Sequence, residues 1–421
     1  MLEQALKSHM EGDLAAAEAL YQAILAETPG QPDAIHYLGI LYHQLGRSDE
    51  ALALVRESLR LVPNRSDWHN DLGNMLAEGG ASRQAAEAFL NAVELDPLNA
   101  GLWNNLGSTQ VKLEQYADAE TAFGKALEID PVFSDALVNM GNLLEFLDRK
   151  VDAAQLFCRA YILEPTEDKP KSMLGIAYYK LGRIDDAARI YHQWMMEEPD
   201  NPVPRHLYAS CSGIDVPERA SDAYIEATFD KFSENFDVNM ELLSYRGHEL
   251  VLNALSRVAA AEGKFVALDA GCGTGLCGPL LRPYLSRLVG LDISAGMLEG
   301  AGRRGAYDEL VRMELTAYLD SHSDAFDLIV AADTLIYFGD LGDVFKAMRE
   351  ALKQGGLLIF TVEEGDEDYR INPHGRYSHG RGYLRAALAH QGFEAIAVES
   401  GVLRFEFGKA VDCLVVTARA M

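Results

Sequence analysis

Basic runs are missing from this chain. Lys and Arg number 37 against 64 Asp and Glu, the formal net charge is −27, and the cations never gather into a cluster. A protein that acts on nucleic acid needs cations to neutralise phosphates, so no nucleic-acid partner is expected. Cysteine is scarce: five residues, with no CxxC pair and no His/Cys cluster at zinc spacing. That excludes a disulfide framework, predicts no metal site, and fits a reduced, cytoplasmic setting. No apolar run reaches the roughly 20 residues that cross a bilayer, so no membrane association is expected. The opening "MLEQALKSHMEG" has neither the basic start nor the apolar stretch of a secretion signal. What remains is 421 residues, 48% hydrophobic and 24% charged, enough for two or three globular domains.

The first half is periodic. Pro29, Pro63, Pro97, Pro131, Pro165 and Pro199 are 34 residues apart, as are Gly39, Gly73, Gly107, Gly141 and Gly175, and Ala17, Ala51, Ala85, Ala119, Ala153 and Ala187. Between them apolar residues fall at helical spacing. The pattern "GLWNNLGSTQVKLEQYADAETAFGKALEIDP" resembles the tetratricopeptide repeat, a helix-turn-helix unit. Gly107 and Ala119 are expected where the two helices of a unit approach, and Pro131 where the second helix stops. Five full repeats are predicted, starting near Pro32, Ser66, Ala100, Ser134 and Asp168, after a divergent unit at 2–31.

In stacked repeats the first helix of each unit lines the inner face. Asn70, Asn74, Asn104, Asn105, Asn139 and Asn142 are expected there, and each offers a donor and an acceptor to a peptide backbone. An Asn-rich inner face also resembles the repeats of the O-linked sugar transferases. The alternative is that these asparagines are solvated or bond between neighbouring helices. The Lys/Arg set that clamps C-terminal carboxylates in chaperone-binding repeats is missing. After Pro199 the rhythm fails, which predicts repeats over 1–205, a connector over 206–222 and a second domain over 223–421.

From Phe265 short apolar runs alternate with helical stretches. Strands are predicted at 265–269, 287–292, 309–313, 326–332, 356–363, 394–405 and 411–418. Helices are predicted at 275–284, 295–302, 315–321, 342–353 and 381–391. Parallel strands with crossovers, then a final hairpin through "EFGKA", give an α/β doubly wound, Rossmann-like sheet of seven strands with the last one antiparallel. Ligands of such sheets sit at the strand C-termini, where "LDAGCGTGLCG" turns after the first strand. Gly273, Gly275 and Gly278 formally match a dinucleotide fingerprint. Asp269, at the strand tip, would repel a pyrophosphate and suits a ligand with an amino group and a sulfonium. Asp292 ends the second strand, where it can bond ribose hydroxyls. No Walker lysine follows the glycines.

Together "LDAGCGTGLCG", "LVGLDISAGML", "YDELVRMELTAYL", "FDLIVAADTLIYFGDL" and "GGLLIFTVE" resemble a class I S-adenosylmethionine-dependent methyltransferase over roughly 225–419. With "ATFDKFSENFDVNMELLSYRG" and "GRYSHGRGYL", the chain also resembles bacterial predicted methyltransferases that carry tetratricopeptide repeats. The resemblance implies that Asp269, Ala270, Gly271, Gly273 and Gly275 hold the methionyl part of S-adenosylmethionine, the glycines because a Cβ would keep backbone amides away. It implies Asp292 on the ribose, Ile293 and Met297 near the adenine, and Glu314 and Leu315 at the adenine edge. Ala331 and Asp333 would lie beside the transferred methyl. Ala331-Ala332-Asp333-Thr334 lacks the proline-walled slot of many methylases of bases and amides, which leaves oxygen, carbon, sulfur or amine acceptors.

Methyl transfer from a sulfonium is mainly a matter of positioning, but a hydroxyl or ammonium acceptor must also lose a proton. Asp333 and Tyr337 on one loop, and His374, Tyr377 and His379 on another, are the candidate catalytic residues. Arg376 and Arg381 are candidates for an acidic substrate group. Phe229, Phe232, Phe236 and Met240 read as either a cofactor lid or helix packing, with packing preferred. Tyr245 and Arg246 are the better candidates for touching the ligand. Cys272 and Cys277 read as small packing residues. The leading expectation is methylation, preferably on oxygen, of a protein or peptide captured by the repeats. The alternatives are a small-molecule methyltransferase with repeats used for assembly, a non-catalytic adaptor, and, more distantly, a nicotinamide oxidoreductase.

Overall fold

The structure, a computed structural model, describes residues 1–163, 165–406 and 408–421. It divides into two compact units, Met1–Pro165 and Thr166–Met421.

The first unit is a run of helix pairs. Leu2–Met10 pairs with Leu14–Glu27, Pro32–Gln44 with Ser48–Leu61, Ser66–Glu78 with Ser82–Leu95, Ala100–Lys112 with Tyr116–Ile129, and Ser134–Phe146 with Lys150–Tyr161. The small residues sit where the helices of a pair touch: a Cβ at Gly107 would lie 2.7 Å from the Phe123 ring, and Ala119 is fully buried. A second periodic device escaped the sequence reading. The turn inside each pair uses one left-handed residue, at Gly12, Gly46, Gly80, Glu114 and Asp148, again 34 apart. The helix pairs themselves could be recognised from apolar spacing, but this turn position mixes residue types and leaves no pattern. A left-handed φ is costly for a residue with a Cβ. Replacing Glu114, at φ +60°, with glycine is therefore expected to raise stability by about 1 kcal/mol, measured by urea denaturation of the whole protein.

The second unit begins with the sixth helix pair, Lys171–Lys180 and Ile184–Glu197, which is the last of the five expected full repeats. Helix Pro202–Ser212 follows where a partly helical connector was expected. Pro202 occupies its first turn and Gly213 ends it in the left-handed region at φ +71°, so these residues punctuate a helix. Compactness thus divides the chain ahead of 206–222. The reason lies in contacts at the end of Pro202–Ser212: His206 Nε2 bonds the Gly375 carbonyl at 2.8 Å, and Ser210 Oγ the Pro373 carbonyl at 3.3 Å.

Among the described residues nine strands form the sheet: β1 (Phe265–Ala270), β2 (Leu285–Asp292), β3 (Glu309–Arg312), β4 (Phe326–Ala331), β5 (Leu352–Glu364), β6 (Tyr369–Ile371), β7 (Tyr377–His379), β8 (Phe393–Glu406) and β9 (Lys409–Ala420). The order β3-β2-β1-β4-β5 is parallel, with β9 antiparallel to β5 and β8 antiparallel to β9. Seven of these are the expected strands. Phe407, in the expected "EFGKA" turn, lies outside the described residues. The count of seven is corrected by β6 and β7, which extend the C-terminal end of β5 through Glu363↔Ser378. Each is three residues long, too short for a two-residue alternation to register. Helices cover both faces over separate apolar cores, one around Leu268, Ile329 and Phe360, the other around Leu288, Val330 and Ile359. Among the described residues, no helix is long and apolar enough to cross a membrane, and no group of three or more His, Cys, Asp or Glu could hold a metal ion.

Candidate functional site

A cavity of about 570 Å³ opens over the C-terminal ends of β1, β2 and β4, beneath helices Asp222–Phe232 and Phe236–Leu242. Its floor is the glycine turn. Gly271 has φ +72°, and a Cβ there would lie 2.4 Å from Thr334 Oγ1, so only glycine fits. The turn's amides are already engaged: Gly271 N donates to the Leu291 carbonyl, Gly275 N to that of Cys272, and Gly273 N to Asp292 Oδ2 at 2.9 Å. The glycines therefore supply space and curvature, and what faces the cavity is carboxylate.

Asp269 is 1% exposed and lines the cavity. Tyr307 Oη donates to its Oδ2 at 2.6 Å. Burial, with the nearby Asp292 adding, pushes its pKa up to about 7 in spite of that bond. A cationic guest reverses the cost of burying this charge. Asp292 takes bonds from Gly273 N and, at 2.9 Å, from Ser294 N, which hold its carboxylate at the cavity edge. Ile293, Met297 and Leu315 are apolar wall beside it. Glu314 caps helix Leu315–Leu319 by accepting from Ala317 N at 2.8 Å through Oε2. Its Oε1 is buried on the cavity wall and makes no hydrogen bond, with Arg219 Nη1 as an ion-pair neighbour at 3.7 Å.

The far end of the cavity holds Asp333, Tyr337, Tyr245, Arg376, Arg404 and Glu406. Asp333 follows β4 in the left-handed region at φ +59°, an uncommon conformation for a residue with a Cβ. Thr361 Oγ1 holds its amide at 2.8 Å. Arg404 is a hub: Nη1 reaches Asp333 at 2.8 Å, Nε reaches Glu406 at 2.8 Å, and Nη2 bonds Glu363. Arg376 adds bonds to Glu363 at 2.7 Å and Glu406 at 2.5 Å. Burial raises the Asp333 pKa even with Arg404 beside it. Burial also holds the phenols of Tyr245 and Tyr337 well above their usual range, so both remain donors.

Sequence reasoning missed Arg404 and Glu406. The signal was present, because "LRFE" puts two charges two residues apart in a strand, on one face. Phe229, Phe232, Phe236 and Met240, expected as helix packing, also line the cavity. Contacts that hold their helices down include Ser294 Oγ to Asp230 Oδ1 at 2.5 Å, Thr274 Oγ1 to Asp237 Oδ1 at 2.6 Å and Arg312 Nη2 to Glu226 Oε1 at 3.1 Å.

Other expected residues stand elsewhere. Ala270 and Ala331 are fully buried in the sheet core, since alternation along β1 and β4 points them away from the cavity. Gly275 packs against Tyr307. His379 is fully buried and bonds the Gly339 carbonyl at 3.0 Å, and burial pushes its pKa down to about 4. Tyr377 Oη donates to the Pro217 carbonyl. His374 lies behind the cavity wall, 3.5 Å from Glu363, its pKa also lowered to about 4 by burial and Arg376. These three rings brace a loop. Arg381 pairs with Glu364 at 3.0 Å and Arg246 with Glu249 at 3.2 Å, both away from the cavity.

In the first unit, Asn105 Nδ2 donates to Asn70 Oδ1 and Asn139 Nδ2 to Asn104 Oδ1, each at 3.0 Å. Four asparagines thus link neighbouring repeats, while Asn74 is half-buried and Asn142 exposed.

Residues 268–360 match the family model described as a methyltransferase domain, and residues 9–72 and 88–121 match models of the tetratricopeptide repeat. The chain therefore carries tetratricopeptide repeats followed by a methyltransferase domain. It is 28% identical over 145 residues to the malonyl-(acyl-carrier protein) O-methyltransferase of Yersinia pestis, covering 34% of this chain and 52% of the relative. It is 30% identical over 123 residues to the trans-aconitate 2-methyltransferase of Paracidovorax citrulli (strain AAC00-1), covering 29% and 45%. The chain spans about half the length of these relatives. MamA (41-end) from Desulfovibrio magneticus RS-1 is 21% identical and covers 40% of this chain and 94% of its own, at a TM-score of 0.38.

The methyl donor implied by such a domain is S-adenosylmethionine, and the cavity fits it. Glu314 Oε1, which makes no hydrogen bond, can accept one from the adenine amino group, Asp292 can accept from ribose hydroxyls, and buried Asp269 calls for a positive charge. Only ionised Asp269 can pair with a cation. With its pKa near 7, affinity for S-adenosylmethionine is expected to fall about tenfold from pH 8 to pH 6, read by calorimetry at both.

Proposed function

We propose that this chain is an S-adenosylmethionine-dependent methyltransferase, acting in the cytoplasm, whose acceptor is a protein or peptide captured by the repeats and methylated preferably on oxygen. In this reading residues 1–205 select the acceptor, 206–222 connect, and 223–421 catalyse. The observation that carries it is one cavity holding Asp269, Asp292 and a Glu314 oxygen that makes no hydrogen bond. Such a wall favours a cationic nucleoside and opposes a pyrophosphate. The bound cofactor supplies an activated methyl group and its leaving group. Asp269, Asp292 and Glu314 would hold it, Phe229 and Phe236 exclude water above it, and Asp333 and Tyr337 face the reacting end.

Small-molecule methylation is the second reading. It is favoured by the trans-aconitate 2-methyltransferase likeness, and by the asparagine bonds between repeats, which fit an array used for assembly.

Calorimetry comes first: S-adenosylmethionine should bind and NAD should not. Labelled cofactor is then incubated with cell extract and the full-length protein. Replacing both Asn74 and Asn142 with alanine, which leaves the Asn105–Asn70 and Asn139–Asn104 bonds intact, is expected to lower labelling of a protein acceptor about tenfold. Undiminished labelling would favour the small-molecule reading.

A further inference from the structure

Both arginines on the far wall of the cavity face carboxylates. Arg404 bonds Asp333, Glu363 and Glu406 through its three nitrogens, and Arg376 bonds Glu363 and Glu406. Lys180 adds a third cation 3.9 Å from Glu406. Three acids and three bases balance, so no positive charge is left over for an incoming acid. Elsewhere on the wall Asp222, Asp269, Asp292 and Glu314 outnumber Arg219. An acceptor carboxylate would enter as an uncompensated anion beside Asp333, which low dielectric makes costly.

Among the described residues, four on the cavity wall carry a buried atom with no hydrogen bond: Thr228 Oγ1, His248 Nδ1, Glu314 Oε1 and Asp333 Oδ1, of which the last lies in the arginine cluster. Asp333 Oδ1 is buried with no hydrogen bond, while Oδ2 is held by Arg404 at 2.8 Å. Such an atom needs a donor. The backbone presents it in a left-handed conformation, and Thr361 fixes the adjoining amide. The other groups that could take a proton fit less well. Tyr245 and Tyr337 stay protonated. His248 Nδ1 also lies on the wall without a hydrogen bond, but burial lowers its pKa and so opposes the imidazolium it would become, whereas burial favours the protonated form of Asp333.

Resting on the methyltransferase reading, we infer that the acceptor is a protic group, a hydroxyl or an amine and not a carboxylate, and that Asp333 Oδ1 takes its proton. In the step, the acceptor oxygen or nitrogen bonds the methyl carbon as the carbon–sulfur bond breaks. The electron pair stays on sulfur, which becomes a neutral thioether, and the acceptor's proton passes to Asp333. This separates the chain from the acid-named acceptors of its relatives.

The test uses the full-length protein, cell extract and cofactor labelled in the methyl group. The labelled product is treated with mild alkali, which releases a carboxyl methyl ester as volatile methanol but leaves ethers and methylamines intact. Alkali-stable label is expected; volatile label overturns the inference. Asp333→Asn tolerates the same backbone conformation and keeps an oxygen for Arg404. It is expected to bind S-adenosylmethionine within threefold of the parent by calorimetry yet label about a hundredfold less. Labelling by this variant within tenfold of the parent overturns the proton-acceptor role. Cofactor binding without any label, from any extract, also overturns the inference. Failure to bind the cofactor at all sinks the methyltransferase reading itself, and is seen in a separate measurement.

Discussion

Arg404→Ala is expected to destabilise the C-terminal unit by about 3–5 kcal/mol, the usual range when one partner of a buried charge cluster is removed. Arg404 is 3% exposed, and its guanidinium meets three different carboxylates. Without it, Asp333, Glu363 and Glu406 lose a shared counter-charge, and Arg376 bonds only two of them. Arg404→Lys keeps the charge but not the fork, and should recover only part of the loss. The measurement is urea denaturation followed by fluorescence. A pH signature accompanies it. Burial pushes the Glu406 pKa up, but Arg376 and Arg404 outweigh it and hold the group down to about 2. Glu406 therefore contributes stability that is present above the unfolded carboxylate range, near 4.3, and is lost as pH falls toward 2. In Arg404→Ala the group should titrate higher, so acid unfolding should begin at a higher pH. A variant as stable as the parent in urea and acid would show that the cluster contributes little.

The second large effect is on the ligand. Asp292→Ala should weaken S-adenosylmethionine binding about 10²- to 10³-fold, because two bonds to a charged acceptor are lost at about 1.5–3 kcal/mol each and are not fully additive. The same change frees Gly273 N and Ser294 N, so the turn's order must be checked separately. Asp292→Asn keeps one acceptor oxygen and serves for that. If Asp292→Asn restores the melting temperature but not affinity, the carboxylate acts on the ligand. If it restores both, Asp292 mainly shapes the turn. Calorimetry and thermal melts separate these outcomes.

Much of the architecture was legible in the primary structure because it rests on local rules. A helix pair must bury an apolar stripe and bring two backbones together, so apolar spacing and a small residue recur every 34 positions. The parallel strands are buried on both faces and therefore read as apolar runs. The cofactor end was legible for the same kind of reason. Asp269, the glycine turn and Asp292 lie at strand ends, where chain order alone brings them together.

The far end of the cavity was not legible. Asp333, Arg376 and Arg404 come from segments after β4, after β5 and within β8, and their meeting depends on β9 inserting between β5 and β8. The rings of His374, Tyr377 and His379 looked catalytic because a loop rich in them is unusual. Only the fold shows that carbonyls and carboxylates behind the wall occupy them. Residue order by itself thus determined the repeats, the sheet and the character of the cofactor's anionic floor, since each is a periodic or near-neighbour property of the chain. Tertiary structure alone decided which charges are neutralised and which oxygen is left without a partner, because burial and ion pairing are set by residues distant in sequence.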